Sequence, residues 1–281
     1  MPDMDWVEAV TRTRHDGRSA VLVTVSRVRG HAPREAGAKM VVTADASFGS
    51  IGGGNLEATV IDRAREMLAD GSHTPEMVEM ALNEHVRTRH GRQCCGGELA
   101  VFLEPLPARP TVAVFGVGHV GLELGRLLAR HPLLVHLVDS RPGQLEGAKQ
   151  LAGQVADIHT HAAPIPETAL TSLPAGAHVY IMTHDHAEDF ALCDAALRRG
   201  DLGSIGLIGS AAKWARFRKG LTEGGHKPAA VDTITCPIGL PGLFGKSPAV
   251  IAVSVVAELL TRLEADVASP NHVADLDAVV Q

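Results

Sequence analysis

The segment Val112-Ala113-Val114-Phe115-Gly116-Val117-Gly118-His119-Val120-Gly121 constrains this chain more than any other. An apolar, β-branched run leads straight into G-x-G-x-x-G, and a helical pattern, Val120 to Arg130, follows. Each glycine answers a separate steric demand. Gly116 permits a tight turn, Gly118 bares the backbone to a phosphate, and Gly121 lets helix and strand pack closely. Unpaired N–H groups and the helix dipole make such a helix start an anion site. Asp139, eighteen residues beyond Gly121 at the end of the next predicted strand, stands where an acidic residue holds a ribose hydroxyl. The unit reads as Rossmann-like. Two readings stay open: a dinucleotide site, or a fold kept without its nucleotide.

The surrounding pattern extends that fold. Thr111 to Phe115, Val135 to Val138, His178 to Thr183 and Ser204 to Ile208 read as strands. Val120 to Arg130, Ala187 to Arg198, Ala211 to Leu221 and Pro248 to Leu263 read as helices. Strand–helix alternation builds βαβ units and a doubly wound parallel sheet, here over residues 111–268. Upstream, strands at Ala20 to Ser26, Lys39 to Thr43 and Leu99 to Leu103 accompany a helix from Glu57 to Ala69, capped by Asn55 and ended by Gly71. Residues 1–104 are therefore expected to form a small α+β domain, giving an α/β chain of two domains. Three prolines between Pro105 and Pro110 hold the chain extended as a linker. Residues 269–281 read as a loose tail.

Charge and composition narrow the function. With 26 Lys plus Arg against 32 Asp plus Glu, the net charge of −6 argues against nucleic acid as a partner. No stretch approaches a membrane span, and the acidic start has no apolar run behind it. Four cysteines in 281 residues, two of them adjacent, do not make a disulfide framework, so a reducing cytoplasm is the expected compartment.

Those adjacent thiols, Cys94-Cys95-Gly96-Gly97, are the second informative feature. Two neighbouring thiols on a flexible backbone suit a soft metal, sulfur transfer or a redox step; burial as small hydrophobes is the alternative. Arg89, His90 and Arg92 close by favour the thiolate. Cys193 falls in a helix and is expected in the core, and Cys236 lacks a spaced partner for zinc.

Further polar residues gather at predicted turns. Gly49-Ser50-Ile51-Gly52-Gly53-Gly54 precedes the first-half helix, and three consecutive glycines demand a reason. Either a ligand approaches the Gly52–Gly54 amides, with Ser50 beside them, or a tight turn packs against another segment. Arg29 to Arg34 adds a basic loop. Strand C-termini of a doubly wound sheet line one crevice, so Thr183-His184-Asp185-His186 and Gly209-Ser210 with Lys213 should share a rim. His184, His186 and Asp189 have a metal-ligand spacing, yet a hydrogen-bonding role is preferred because no further ligand cluster completes it. Lys213 is near enough to its helix start to help hold an anion.

These segments together resemble the xanthine dehydrogenase accessory protein family (XdhC/CoxI). The likeness spans nearly the whole chain. In the first half it is carried by Ala32-Pro33-Arg34, Gly37-Ala38-Lys39-Met40, Ile51-Gly52-Gly53-Gly54 with Glu57, and Gln93-Cys94-Cys95-Gly96-Gly97. In the second it is carried by Phe115 to Val120, Asp139-Ser140-Arg141, Thr183 to His186, Ile205 to Ser210 with Lys213, Pro237 to Leu240, and Lys246-Ser247-Pro248. Two departures stand out: His31 replaces a small polar residue, and Leu243-Phe244 interrupts the last loop.

The resemblance implies a chaperone of the molybdenum cofactor with no catalytic residues of its own. Such a protein binds the molybdopterin-type cofactor, holds it while a cysteine desulfurase installs a sulfido ligand, and delivers it to the molybdenum subunit of apo xanthine dehydrogenase. A homodimer is the expected assembly, and purine catabolism the context. Cys95, with Cys94 second, is the expected transient molybdenum ligand, and the pterin phosphate is expected on Gly116–Gly121 or Gly52–Gly54. Whether a dinucleotide also binds stays open. The rival from another class is a nicotinamide-dependent oxidoreductase using the fingerprint and Asp139; a third reading is an interaction module with a degenerate nucleotide site.

Overall fold

The computed structural model describes residues 4–81, 97–151, 155–243 and 245–267. Cys94, Cys95 and Gly96 lie outside the described residues, as does the C-terminal segment from residue 268. The described chain divides into two compact units between Ala108 and Arg109.

The first unit holds α1 (Trp6–His15), β1 (Ala20–Arg29), β2 (Lys39–Val42), β3 (Ser47–Gly49), α2 (Gly54–Ala69), β4 (Glu76–Ala81) and β5 (Glu98–Leu106). Its sheet is antiparallel, in the order β3-β2-β1-β5-β4. Alternation along β1 decides what each face meets. Val21, Val23 and Val25 pack against Leu56, Val60, Ala64 and Met67 of α2. Ala20, with Val41 of β2, meets Ala9 of α1 on the other face. Asp5 caps α1, its Oδ1 accepting from the Val7 and Glu8 amides at 2.8 Å each. The expected cap at Asn55 is not used: Gly53 is the N-cap of α2, with φ +74°, and Asn55 lies inside the first turn. The expected linker is also shorter, because β5 continues through Pro105 to Leu106. Among the described residues β4 pairs with β5 only as far as Leu103, leaving one side of the strand unpaired beyond it, the setting in which strand prolines are tolerated.

The second unit runs β6 (Thr111–Phe115), α3 (His119–Leu128), β7 (Leu134–Asp139), a 3-10 run (Pro142–Leu151), β8 (Asp157–Ala162), α4 (Glu167–Leu170) and β9 (His178–Ile181). It continues with α5 (His186–Arg199), β10 (Ser204–Leu207), α6 (Ala211–Glu223), α7 (Pro228–Val231), β11 (Ile234–Thr235) and α8 (Pro248–Val267). All six strands are parallel, in the order β11-β10-β9-β6-β7-β8. Counted from β6, this is the doubly wound 3-2-1-4-5-6 arrangement, with its switch point between β6 and β9. β6 is buried along its whole length. Val112 and Val114 face a core shared with Leu124 and Leu128 of α3 and with Val255 and Leu259 of α8. Ala113 and Phe115 face the opposite core, with Leu192 and Cys193 of α5.

Candidate functional site

At the end of β6 the three fingerprint glycines do three different things. Gly116 has φ +101°, and a Cβ there would collide with the Met182 carbonyl beyond β9. A Cβ on Gly121 would strike the Gly116 carbonyl, so this glycine closes α3 onto the turn. Gly118 has nothing within 4 Å of where its Cβ would be, and it caps α3 without a side chain to occupy the first-turn amides. The turn is thus tight at its ends and open in its middle, which leaves the helix N-terminus able to receive an anion.

Asp139 is at the expected place, at the end of β7, and its carboxylate makes hydrogen bonds within the protein. Its Oδ2 accepts from the Val117 amide at 2.7 Å, and its Oδ1 accepts from the Arg141 amide at 2.9 Å and from Arg141 Nε at 3.0 Å. It is 2% exposed. Burial opposes its charge, yet the bonds from the Arg141 side chain and from the Arg141 and Val117 amides hold the carboxyl below the ordinary carboxylate range. The carboxylate therefore ties the glycine turn to Arg141, and both oxygens expected to face a ribose are engaged within the protein. Next to it, Ser140 Oγ donates to Glu188 Oε2 at 3.0 Å, a contact from the end of β7 to the first turn of α5. Burial pushes the Glu188 carboxyl up, against the bond from Ser140.

Of the remaining rim residues, Asp189 and Lys213 turn inward, while His184, His186 and Ser210 stay exposed. Asp189 Oδ1 accepts from the Thr183 amide and hydroxyl at 2.9 and 2.8 Å, while Asp189 Oδ2 accepts from Lys213 Nζ at 2.5 Å. Lys213 Nζ also donates to the Ile208 carbonyl at 2.8 Å. The expected anion-holding lysine is spent on a buried ion pair that locks the ends of β9 and β10 together. Ser210 caps α6, its Oγ accepting from the Lys213 amide at 3.2 Å. His186 Nδ1 stands 3.1 Å from the Arg216 guanidinium, and His184 is exposed in the loop after β9. With both Asp189 oxygens taken and His186 against a cation, the His184–His186–Asp189 spacing does not assemble a metal centre.

In the first unit the glycine-rich loop already holds an anion of its own. Glu57 Oε2 accepts from the Ser50 hydroxyl at 2.6 Å, the Ile51 amide at 3.2 Å and the Gly53 amide at 3.0 Å. Ser50 Oγ in turn accepts from the Gly52 amide at 3.1 Å. Gly52 has φ +138°, and a Cβ there would run into the Pro33 ring. Gly52 thus packs in a tight turn against the Pro33 segment. Gly53 and Gly54, also at positive φ, have open space around them.

Beside that loop lies an open cavity of about 430 Å³. Trp6, Arg34, Lys39 and Ser50 are among the residues that line it. Lys39 Nζ is 5.4 Å from the Trp6 ring centre and donates to Thr24 Oγ1 at 2.9 Å. Arg34 is exposed and forms no ion pair among the described residues. Gly97, where the segment carrying Cys94 and Cys95 ends, is buried, and a Cβ on it would collide with the His31 and Arg29 carbonyls.

Burial weakens the acidity of the other two thiols. Cys193 is fully buried in α5, and burial pushes its thiol up to about 12. Cys236 is half-buried, and burial raises its thiol as well.

Sequence reasoning missed Glu57 and Glu188 as partners and Trp6 as a lining residue. A Glu placed four residues after a helix-capping glycine is a legible signal for the first. Nothing in the sequence brings Trp6 to Lys39, since that contact depends on how α1 packs on the sheet.

Residues 112–259 match the family model of the XdhC Rossmann domain, and residues 13–80 match that of the XdhC and CoxI family. The uncharacterized protein YqeB of Escherichia coli (strain K12) is 25% identical over 233 residues, covering 83% of this chain and 41% of YqeB. The molybdenum cofactor insertion chaperone PaoD of the same organism is 33% identical over 125 residues, 42% of this chain and 33% of PaoD. The chain spans less than half the length of either relative. A Bacillus halodurans protein solved as a xanthine dehydrogenase aligns over 96% of this chain and 99% of its own, at 20% identity and a TM-score of 0.48. With both units matched in order, and the Rossmann model alone covering more than half of its length, this chain belongs to the XdhC and CoxI family.

Proposed function

We propose that this chain carries the molybdenum cofactor as cargo. It binds the cofactor, holds it in the cytoplasm while a cysteine desulfurase installs the sulfido ligand, and passes it to the apo form of a xanthine-dehydrogenase-type enzyme. Membership of the XdhC and CoxI family is the observation that carries this reading. The role of PaoD as a molybdenum cofactor insertion chaperone supports it.

The chemistry of the first-unit cavity suits such a cargo. A pterin is flat and offers a π-face, and its side chain ends in a phosphate. Trp6 supplies a stacking surface, Arg34 and Lys39 supply positive charge, and Ser50 sits at the edge. Cys95, with Cys94 second, meets the molybdenum or its sulfur ligand, because a thiolate is a soft ligand. Gly97, two residues after Cys95 in the sequence, packs against the Arg29 and His31 carbonyls. The open α3 N-terminus at Gly118 is a second seat for a phosphate or a nucleotide extension.

The nicotinamide-dependent reading needs Asp139 to accept from a ribose, and its oxygens accept from Val117 and Arg141 instead. Reconstitution tests the chaperone reading. Cofactor-loaded chain mixed with an apo molybdoenzyme should restore activity faster than free cofactor, and Arg34→Ala should slow the transfer. Equal rates with and without the chain would refute it.

A further inference from the structure

Strand β8 carries Asp157-Ile158-His159-Thr160-His161, and a period of two puts Asp157, His159 and His161 on one face of the sheet. His136 of β7 stands directly opposite His159 in the parallel register, so its side chain shares that face. The side chains touch. His136 Nδ1 lies 2.9 Å from His161 Nε2, and His159 Nε2 lies 3.4 Å from Asp157 Oδ1. Ring centres are 5.1 Å apart for His136 and His161, 5.4 Å for His136 and His159, and 6.5 Å for His159 and His161.

Packing alone is a poor account of this cluster. Three imidazoles cluster on a half-buried face at the β8 edge of the sheet, where neighbouring strands of this unit carry apolar residues. His136 Nε2 is buried with no hydrogen-bond partner among the described residues, a cost a core normally avoids.

We propose that His136, His159 and His161, with Asp157, form a site for a divalent transition-metal ion of the zinc class. Imidazole nitrogen and carboxylate oxygen are its ordinary ligands. Imidazoles sharing one tetrahedral ion at about 2.0–2.1 Å stand roughly 5 Å apart centre to centre, close to the spacing of the nearer pairs here. In the metal-free arrangement the rings stack, and a single proton bridges His136 and His161. The ion takes that proton's place after rotation of the side chains brings the ring nitrogens around it, and the imidazole that donated the proton becomes its other neutral tautomer, with the proton on the ring nitrogen turned away from the ion. The ligands are all on β7 and β8, so the site is independent of the molybdenum cargo.

The test is calorimetric titration of the chelator-stripped full-length chain with Zn²⁺, in a Cys94→Ser/Cys95→Ser background that removes the paired thiols. One equivalent should bind, His136→Ala and His161→Ala should each weaken it at least tenfold, and His184→Ala should leave it unchanged. Co²⁺ should give visible absorption of a tetrahedral nitrogen–oxygen site, and His161→Gln, which is expected to fold, should abolish it. Absence of binding, or binding indifferent to His136 and His161, would overturn the assignment.

Discussion

Lys213 and Asp189 form an ion pair withdrawn from solvent at the ends of β10 and β9, with the ammonium 2.5 Å from one carboxylate oxygen and the side chains 10% and 1% exposed. Removing one partner strands the other charge in the core, which typically costs about 3–5 kcal/mol. Lys213→Ala should therefore lower the urea midpoint strongly. Lys213→Met combined with Asp189→Asn should cost less, because no bare charge remains. A loss below about 1 kcal/mol for Lys213→Ala would contradict the pair's locking role.

Asp139 makes stability depend on pH in a known direction. Its folded value lies below its unfolded one, so its contribution is fully present above the unfolded value, about 3.9, and is lost as pH falls through the folded value. Asp139→Asn keeps the shape without the charge. It should cost about 1–3 kcal/mol at pH 7 and flatten the acid limb of the melting curve below pH 4. Parallel curves for the two proteins would contradict this.

Much of the second unit was legible because its local and global demands agree. The β6 turn needs glycine on steric grounds at Gly116 and Gly121, both of which the fingerprint spacing marks, while Gly118 has open space around it. Asp139 shows where legibility stopped. Its position was readable, but its partners depend on Arg141 folding back two residues later. β8 was unreadable because histidines occupy the positions where a strand pattern shows apolar residues. α1 escaped as well, since its periodic face is thin and only Ala9 and Thr13 are buried. The sequence placed Lys213 and Ser210 at a helix start, where Ser210 is the exposed cap, and packing, invisible in the sequence, turned Lys213 inward onto Asp189.

Glu57 gathers the glycine loop, so losing it should loosen that loop before it unfolds the unit. Glu57→Ala leaves the Ile51 and Gly53 amides and the Ser50 hydroxyl without their acceptor, at about 1–3 kcal/mol. Hydrogen exchange should accelerate over residues 50–54 while β1 stays protected. Unchanged exchange there would show that the carboxylate is not what holds the turn.

Cys193 and Cys236 should resist alkylation in the native protein. Burial raises both thiols, Cys193 to about 12, and keeps them from being thiolates at neutral pH. Iodoacetamide at pH 7.5, followed by peptide mass mapping, should leave Cys193 unmodified and Cys236 largely so, and label both in urea. Prompt native labelling of Cys193 would contradict the core placement.

The central claim is that the chain holds the molybdenum cofactor. It is tested most directly by purifying it without oxygen from cells that make the cofactor, oxidising it, and measuring pterin fluorescence alongside molybdenum. The account predicts near-stoichiometric pterin and molybdenum on the wild-type chain and a loss of at least severalfold in Cys95→Ala and in Trp6→Ala, with the folds intact. Pterin-free protein from such cells, or undiminished pterin in both variants, would contradict it.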